Sequence, residues 1–165
     1  VDPDAYMAMI CYKNGSLTRE YVRDESTDGS WEEFNRALEK TTPGNDGNIG
    51  FFIKEPEITP PILKTGNFRF NRDNEKEYTF VPIKDVRAVV EGQFLSMRLH
   101  GANIGLNPVS ILATGGASAN EAIIKIMSDV FGVSVYVGEH AGSALLGAAY
   151  RALHWSSCTQ AEKDA

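Results

Sequence analysis

A glycine pair and the short stretch after it, Gly115 to Asn120, are the residues whose types and spacing best suit chemistry. An apolar run from Val109 to Ala113 precedes them, and an amphipathic helical pattern follows and stops at Gly132. A strand entering a glycine turn at a helix start presents backbone N–H groups at the carboxyl edge of a sheet, where nucleotides often bind. The pattern is equally typical of a plain tight turn that needs positive φ.

Four residues could contribute to such a site, and each also has a structural interpretation. Gly116 and Ala117 would let a ligand approach the backbone without obstruction by a side chain. The Asn120 amide can donate and accept at once, which matches the edge of a base or a ribose, or it can cap a helix. Trp31 could form an aromatic wall for a flat ring or belong to the core.

The common sequence motifs of catalytic and cofactor sites are absent from the sequence. There is no GxGxxG, GxxxxGK[ST], GxSxG or HExxH pattern. His100, His140 and His154 are scattered without partners at metal-binding or catalytic spacing. The sequence therefore predicts a possible nucleotide-binding site, and it predicts neither a catalytic residue nor a metal site within the chain.

Composition describes one ordinary globular domain. The chain has 165 residues, of which 42% are hydrophobic and 23% are charged. A net charge of −6 argues against nucleic acid or an anionic membrane as a partner, and no apolar run reaches the ~20 residues of a membrane span. Cys11 and Cys158 form no CxxC or disulfide framework, which favours a reducing compartment such as the cytoplasm. The chain lacks an initiator methionine and is expected to be a fragment.

The first half of the chain predicts a hairpin, a helix, a strand and an insertion. Two β-like runs, Ala5 to Tyr12 and Leu17 to Val22, flank Asn-Gly, a strong hairpin signal. Ser30 and Glu33 form a capping box that opens a helix to about Lys40, with Phe34 and Leu38 on its inner face. A short strand, Ile49 to Ile53, precedes a proline-broken stretch over 54–84 that we expect to be an irregular insertion.

The second half alternates helices and strands as a parallel α/β sheet does. Asp85 to His100 reads as a long helix, and Gly92 within it suggests close packing against another element. After the opening strand comes a helix for which Ser118 and Glu121 suggest a capping box. A strand over Val133 to Val137 and a helix over Ala141 to His154 complete the pattern.

Taken in order, these motifs resemble the FGGY family of carbohydrate kinases, and within it the eukaryotic members that act on xylulose. The likeness covers nearly the whole chain, and its motifs are ILATGGASAN (Ile111–Asn120), VSVYV (Val133–Val137), EHAGSALLGAAYRA (Glu139–Ala152), VRAVVEGQF (Val86–Phe94), PEITPPI (Pro56–Ile62), FRFN (Phe68–Asn71), AMICYKNGSLTREYVRDES and SWEEF. One departure is that Asp85-Val86-Arg87-Ala88 is a residue shorter than the common Asp-Leu-x-Arg-Ala spacing. That spacing agrees with the eukaryotic subtype, so the identity of the sugar depends on subtype likeness alone.

The resemblance implies an α/β, actin-like ATPase (ribonuclease H-like) domain with a mixed sheet flanked by helices. The chain would be part of the second, nucleotide-binding domain over 1–158, followed by a polar tail over 159–165. The first strand of that domain, which carries a phosphate-binding Gly-Thr-Ser turn, would be missing. The catalytic aspartate and the sugar site would lie on an absent N-terminal domain, so the fragment alone is expected to be inactive.

The same resemblance implies ATP with Mg²⁺ as cofactors, and ATP or ADP and a sugar as partners. Carried over residue by residue, the nucleotide site would include Gly116 and Ala117, with Gly115 shaping the turn, and Asn120 and Trp31 flanking the adenosine. The implied activity is phosphorylation of D-xylulose to D-xylulose 5-phosphate. The alternatives are another kinase of the family, acting on ribulose, gluconate or glycerol, and a non-catalytic actin-like module that binds nucleotide.

Overall fold

The computed structural model describes residues 7–138 and 142–158, so the predicted polar tail and His140 lie outside the described residues. Helices and strands alternate along the second half, and the α/β prediction is confirmed. The helices are α1 (Ser16–Thr27), α2 (Trp31–Lys40), α3 (Pro82–Asn103), α4 (Glu121–Phe131) and α5 (Ser143–Ser157). The strands are β1 (Ile49–Ile53), β2 (Gly66–Phe70), β3 (Lys76–Glu77), β4 (Ser110–Ala113) and β5 (Ser134–Val137).

The strands of the described residues form two small sheets. Strands β1, β2 and β3 are antiparallel in that order, with Ile49 opposite Phe70 and Arg69 opposite Glu77. Strands β4 and β5 are parallel, with Ser110 opposite Ser134, and α4 connects them. This parallel pair agrees with the predicted α/β alternation.

Helix α3 is the centre of the packing, because α1, α2, α4 and β1 all contact it. The buried apolar cluster joins residues from all five of these elements: Val22, Phe34, Ala37, Leu38, Phe52, Val86, Ala88, Val89, Val90, Phe94, Ile123 and Ile126. Gly92 lies against the carbonyl oxygen of Gly50 on β1, so any Cβ at residue 92 would collide with that backbone atom. The close approach predicted for Gly92 is confirmed.

The predicted N-terminal hairpin is wrong. Residues 16–27 form α1, and residues 7–12 form no strand. Gly15 has φ −98°, which is not the positive φ that a type I′ turn requires. The Asn14 side chain serves a different contact: its Oδ1 accepts from Lys54 N at 2.7 Å and its Nδ2 donates to Glu55 O at 2.9 Å.

The carboxylate of Glu57 completes this link between the N-terminal segment and the residues after β1. It accepts from the backbone N–H groups of Lys13, Asn14 and Ile58 at 2.6, 3.0 and 2.8 Å, and from Asn14 Nδ2 at 2.8 Å. Burial raises the pKa of Glu57, but these hydrogen bonds outweigh it and hold the pKa below its ordinary value. Asn14 therefore links the N-terminal segment to residues 54–57 by hydrogen bonds and does not form a hairpin turn.

The prediction of an irregular insertion over 54–84 is wrong for part of its length, because β2 and β3 lie within it. Arg69 on β2 pairs with Asp85 at the start of α3 through two hydrogen bonds of 2.7 and 2.8 Å. This pair attaches the small antiparallel sheet to the central helix.

Helix α3 begins earlier than predicted, at Pro82, and α5 runs beyond His154 to Ser157. No helix of the described ranges has both the length and the apolar composition that crossing a membrane requires.

Candidate functional site

An open cleft of about 760 Å³ lies between α1, α2 and the stretch from Gly116 to Ile123. Four of the five predicted site residues line it, namely Trp31, Gly116, Ala117 and Asn120. The two sides are joined by a 2.7 Å hydrogen bond from Asn120 Nδ2 to Asn35 Oδ1, across 85 positions of sequence. Residues far apart in the chain thus meet on one surface, as a binding site requires.

Gly115 forms the bend between β4 and the cleft. Its φ of 86° lies in the region that favours glycine, and its carbonyl accepts from Ser118 N at 3.1 Å and from Ser118 Oγ at 2.7 Å. A short 3₁₀ turn, Gly116–Ala119, follows. No atom lies within 4 Å of a Cβ built at Gly116, and its φ is not positive. Neither packing nor backbone strain explains glycine at 116, whereas close approach of a ligand would.

Asn120 is the N-cap of α4, and the predicted capping box from Ser118 is wrong. The Asn120 Oδ1 accepts from Ile123 N at 3.1 Å, so the helix begins at Glu121. Ser118 instead folds back on Gly115. The Asn120 amide keeps one N–H and one lone pair beyond its bonds to Ile123 and Asn35, which leaves it able to contact a ligand. Both interpretations of this residue are therefore compatible.

Trp31 is the first residue of α2 and contacts both the core and the cleft. Ser30 caps the helix as predicted, with its Oγ accepting from Glu33 N at 3.2 Å. The indole packs edge-on to buried Phe34 at 5.1 Å between ring centroids, and the Arg23 guanidinium lies 4.8 Å from the ring centroid. The side chain nevertheless remains 37% exposed. A flat ligand could stack on the exposed part.

Arg19 on α1 also lines the cleft, and the sequence interpretation missed it. It is 9% exposed, and its Nη1 donates to Gln93 Oε1 of α3 at 2.6 Å. Burial lowers the pKa of Arg19, and the neighbouring Glu20 carboxylate opposes that shift. Reading residues 17–22 as a strand hid this residue. The helical spacing of Thr18 and Val22, both buried, was the signal that could have found it.

A second cavity, about 310 Å³, lies between α3, β1 and residues 57–62, and contains none of the predicted site residues. Its lining is largely apolar. For metals, no group of three or more His, Cys, Asp or Glu side chains within residues 7–138 and 142–158 is placed to hold an ion. The cleft with the glycine turn is therefore the stronger candidate for a polar ligand.

Comparison with known proteins gives this cleft its context. The model of the C-terminal domain of the FGGY family of carbohydrate kinases matches residues 1–155. The mouse xylulose kinase is 48% identical over 157 residues, which cover 93% of this chain and 28% of the mouse protein. Xylulose kinase 2 of Arabidopsis thaliana is 46% identical, covering 97% of this chain and 31% of the plant protein. The chain thus spans less than a third of each of these two relatives.

Solved structures resemble the chain in fold as well. The ligand-bound xylulose kinase of Lactobacillus acidophilus superposes with a TM-score of 0.70 at 19% identity. The superposition covers 90% of this chain and 31% of the bacterial one. At this identity the likeness concerns the arrangement of helices and strands.

Proposed function

We propose that this chain, which belongs to the FGGY family of carbohydrate kinases, forms the ATP-binding part of a kinase that phosphorylates D-xylulose. The fold of these kinases is the actin-like ATPase fold, in agreement with the sequence prediction. The observation that carries the proposal is the 48% identity with a xylulose kinase over 93% of the chain. The grouping of Trp31, Gly116, Ala117 and Asn120 on one cleft supports the nucleotide as its ligand.

The residues that line the cleft offer groups suited to the adenosine of a nucleotide. Trp31 offers an aromatic surface for the adenine, and Asn120 offers an amide N–H and a lone pair for the base or the ribose. Gly116 and Ala117 leave their backbone open to the ligand, and Gly115 sets the bend. These five residues are proposed to bind adenosine, and none of them is proposed to be catalytic.

The bound nucleotide, with Mg²⁺, would supply the phosphoryl group that is transferred. Mg²⁺ is commonly held by substrate phosphates with one or two carboxylates, which is compatible with a chain that offers no metal cluster in its described part. This chain would bind and orient the nucleotide, and transfer depends largely on such positioning. We propose that the catalytic aspartate, the sugar site and the first strand of this domain lie elsewhere in the polypeptide.

The setting of the protein is part of the proposal. Cys11 and Cys158 are both unpaired, which is typical of a reducing compartment, and we propose the cytoplasm. The proposed partners are ATP or ADP and the sugar.

A kinase assay on the intact protein that contains this chain tests the proposal. ATP-dependent product formation is measured with D-xylulose, D-ribulose, gluconate and glycerol as separate substrates. We expect kcat/KM to be highest for D-xylulose. Turnover of another substrate with none of D-xylulose would refute the sugar assignment, and absence of turnover with all four would refute the kinase.

A further inference from the structure

Arg19 carries a buried positive charge that forms no salt bridge within the described part of the chain. Its only side-chain hydrogen bond there is the 2.6 Å bond to the neutral Gln93 amide, and the neighbouring Glu20 carboxylate acts on its charge without forming an ion pair. Buried charges in proteins are normally paired, because removing them from water is costly. A guanidinium this buried and without an ion pair is suited to binding an anion.

The free edge of the Arg19 guanidinium is not sealed from solvent. Its Nε and Nη2 have no hydrogen-bond partner among residues 7–138 and 142–158, yet neither belongs to the polar atoms sealed from solvent. Arg19 itself lines the cleft beside Trp31 and Gly116. Two adjacent N–H donors on a residue that lines a cleft match the oxygens of a phosphoryl group.

The charges around the cleft point to Arg19 as the place for an anion. The other charged residues that line it are all acidic: Glu20, Glu39 and Glu121. A phosphate group elsewhere in the cleft would face these carboxylates and be repelled. Among the described lining residues, Arg19 alone offers a compensating positive charge.

Gln93 of α3 fixes the position of this guanidinium. Its Oε1 accepts from Arg19, and its Nε2 donates to the backbone oxygens of Asn14 and Gly15 at 2.8 and 3.0 Å. The amide therefore ties α1 to the central helix while leaving the charge of Arg19 unneutralised. A carboxylate at residue 93 could accept from the guanidinium but would cancel its charge, and it could not donate to the backbone oxygens of Asn14 and Gly15.

We propose that Arg19, positioned by Gln93, binds a phosphoryl group of the nucleotide in this cleft. The inference depends on the proposed function, since it assumes that a nucleotide occupies the cleft. The adenosine end lies against Trp31 and Asn120, and the charged end lies toward Arg19. Sequence position gave no reason to connect residues 19 and 93, which lie on separate helices and meet only in the fold.

Isothermal titration calorimetry on the intact protein tests the assignment with three probes: ADP, adenosine and inorganic phosphate. Arg19→Gln should weaken ADP binding about tenfold or more, since a hydrogen bond to a charged group is lost, and should change adenosine binding by less than about threefold. Arg19→Lys keeps the charge but not the fork, so it should recover part of the ADP affinity. Arg36→Gln is the matched control, because Arg36 pairs with Glu32 and Glu33 outside the cleft; its ADP affinity should equal that of the wild type.

Gln93→Glu provides a second route if Arg19→Gln fails to fold. The new carboxylate would neutralise Arg19, so ADP binding should fall while adenosine binding holds. A role of Gln93 in folding alone would lower both affinities together. Thermal denaturation of each variant identifies those that are folded.

The outcomes separate the two proposals. If the wild type binds ADP and adenosine but Arg19→Gln weakens both equally or neither, the role of Arg19 is wrong and the nucleotide cleft stands. If the wild type binds neither, the nucleotide site and the role of Arg19 are both wrong. If inorganic phosphate binding alone depends on Arg19, the site takes free phosphate and the nucleotide assignment of Arg19 is wrong.

Discussion

The central helix α3 and the last helix α5 differ sharply in how they are packed. Ten residues of α3 are buried, from Asp85 to Gly101, whereas none of α5 is. Near the parallel strands, Val109 is 89% exposed and Leu112 is 68% exposed, and on α5 Leu145 is 78% exposed. The cleft lies where these regions meet, with Trp31 and Arg19 on the packed side and the glycine turn on the other. Substitutions around α3 should therefore act on stability, and those in the glycine turn on ligand binding.

The largest difference between the regions should come from two matched aspartate substitutions. Asp85 pairs with Arg69 where both side chains are 12% exposed, whereas Asp129 pairs with a largely exposed Lys125 on α4. Asp85→Asn should lower the free energy of unfolding by about 3–5 kcal/mol, because Arg69 keeps a buried charge without its partner. Asp129→Asn should cost about 0.5 kcal/mol or less. Urea denaturation measures both, and equal costs would contradict the comparison.

A pair of glycine substitutions comes next in size. Gly92→Ala places a methyl group against the Gly50 carbonyl oxygen, so the helix or β1 must shift, at about 1–3 kcal/mol. Gly147→Ala on α5 is the control, because no atom lies within 4 Å of the added Cβ. It should stabilise α5 by up to about 1 kcal/mol through helix propensity. Thermal denaturation shows whether each variant is less or more stable than the wild type. A stabilised Gly92→Ala would show that α3 and β1 are not closely packed.

Asn120 lies between the packed region and the glycine turn, so its substitution should affect both stability and ligand binding. Asn120→Ala should lower the free energy of unfolding by about 1 kcal/mol through loss of the cap on α4, and should raise KM for ATP more than it lowers kcat. Asn120→Ser keeps a capping oxygen but not the amide, so it should recover stability and not KM. Steady-state kinetics and urea denaturation separate the effects. A fall in kcat at constant KM would contradict a role in nucleotide binding.

The smallest effect concerns the hydrogen bonds of the Glu57 carboxylate, which should make the free energy of unfolding depend on pH in the acidic range. Because its folded-state pKa is lowered, Glu57 adds stability that is complete above the ordinary glutamate pKa of about 4.3 and is lost as the pH falls through the lowered value. Glu57→Gln should remove this part of the acid dependence. Unfolding free energies at pH 7 and at successively lower pH measure it. A wild type and a Glu57→Gln variant with the same pH dependence would show that the carboxylate contributes nothing.

Local patterns in the sequence predicted the elements whose signals are local. Helix α2 follows from the cap at Ser30 and its amphipathic face, and the β4–α4–β5 order follows from the apolar runs and Gly132. The hairpin prediction failed because Asn14 bonds to residues 54–57, a contact about 40 positions away that no local pattern reveals. Strands β2 and β3 were missed because prolines on either side obscured their short runs.

The candidate site shows the same division. The glycine turn could be identified from its residue types, but the approach of Trp31 and Asn120 to one another came from the family resemblance, since 89 positions of folded chain separate them. Arg19 could not be identified at all without its helix. It bonds to Gln93, 74 positions away, and its burial distinguishes it from the exposed Arg36 on α2.

Three consecutive residues of α3 each hold a different segment. Glu91 accepts from Gly44 N at 2.9 Å, Gly92 contacts β1, and Gln93 donates to the two residues just before α1. Successive residues of an α-helix point about 100° apart, so the three contacts radiate in three directions from a single turn. The helix therefore fixes the directions in which the three neighbouring segments lie around it. Inserting one residue within α3 just before Glu91 would rotate all three contacts together, and no rearrangement of side chains could restore them.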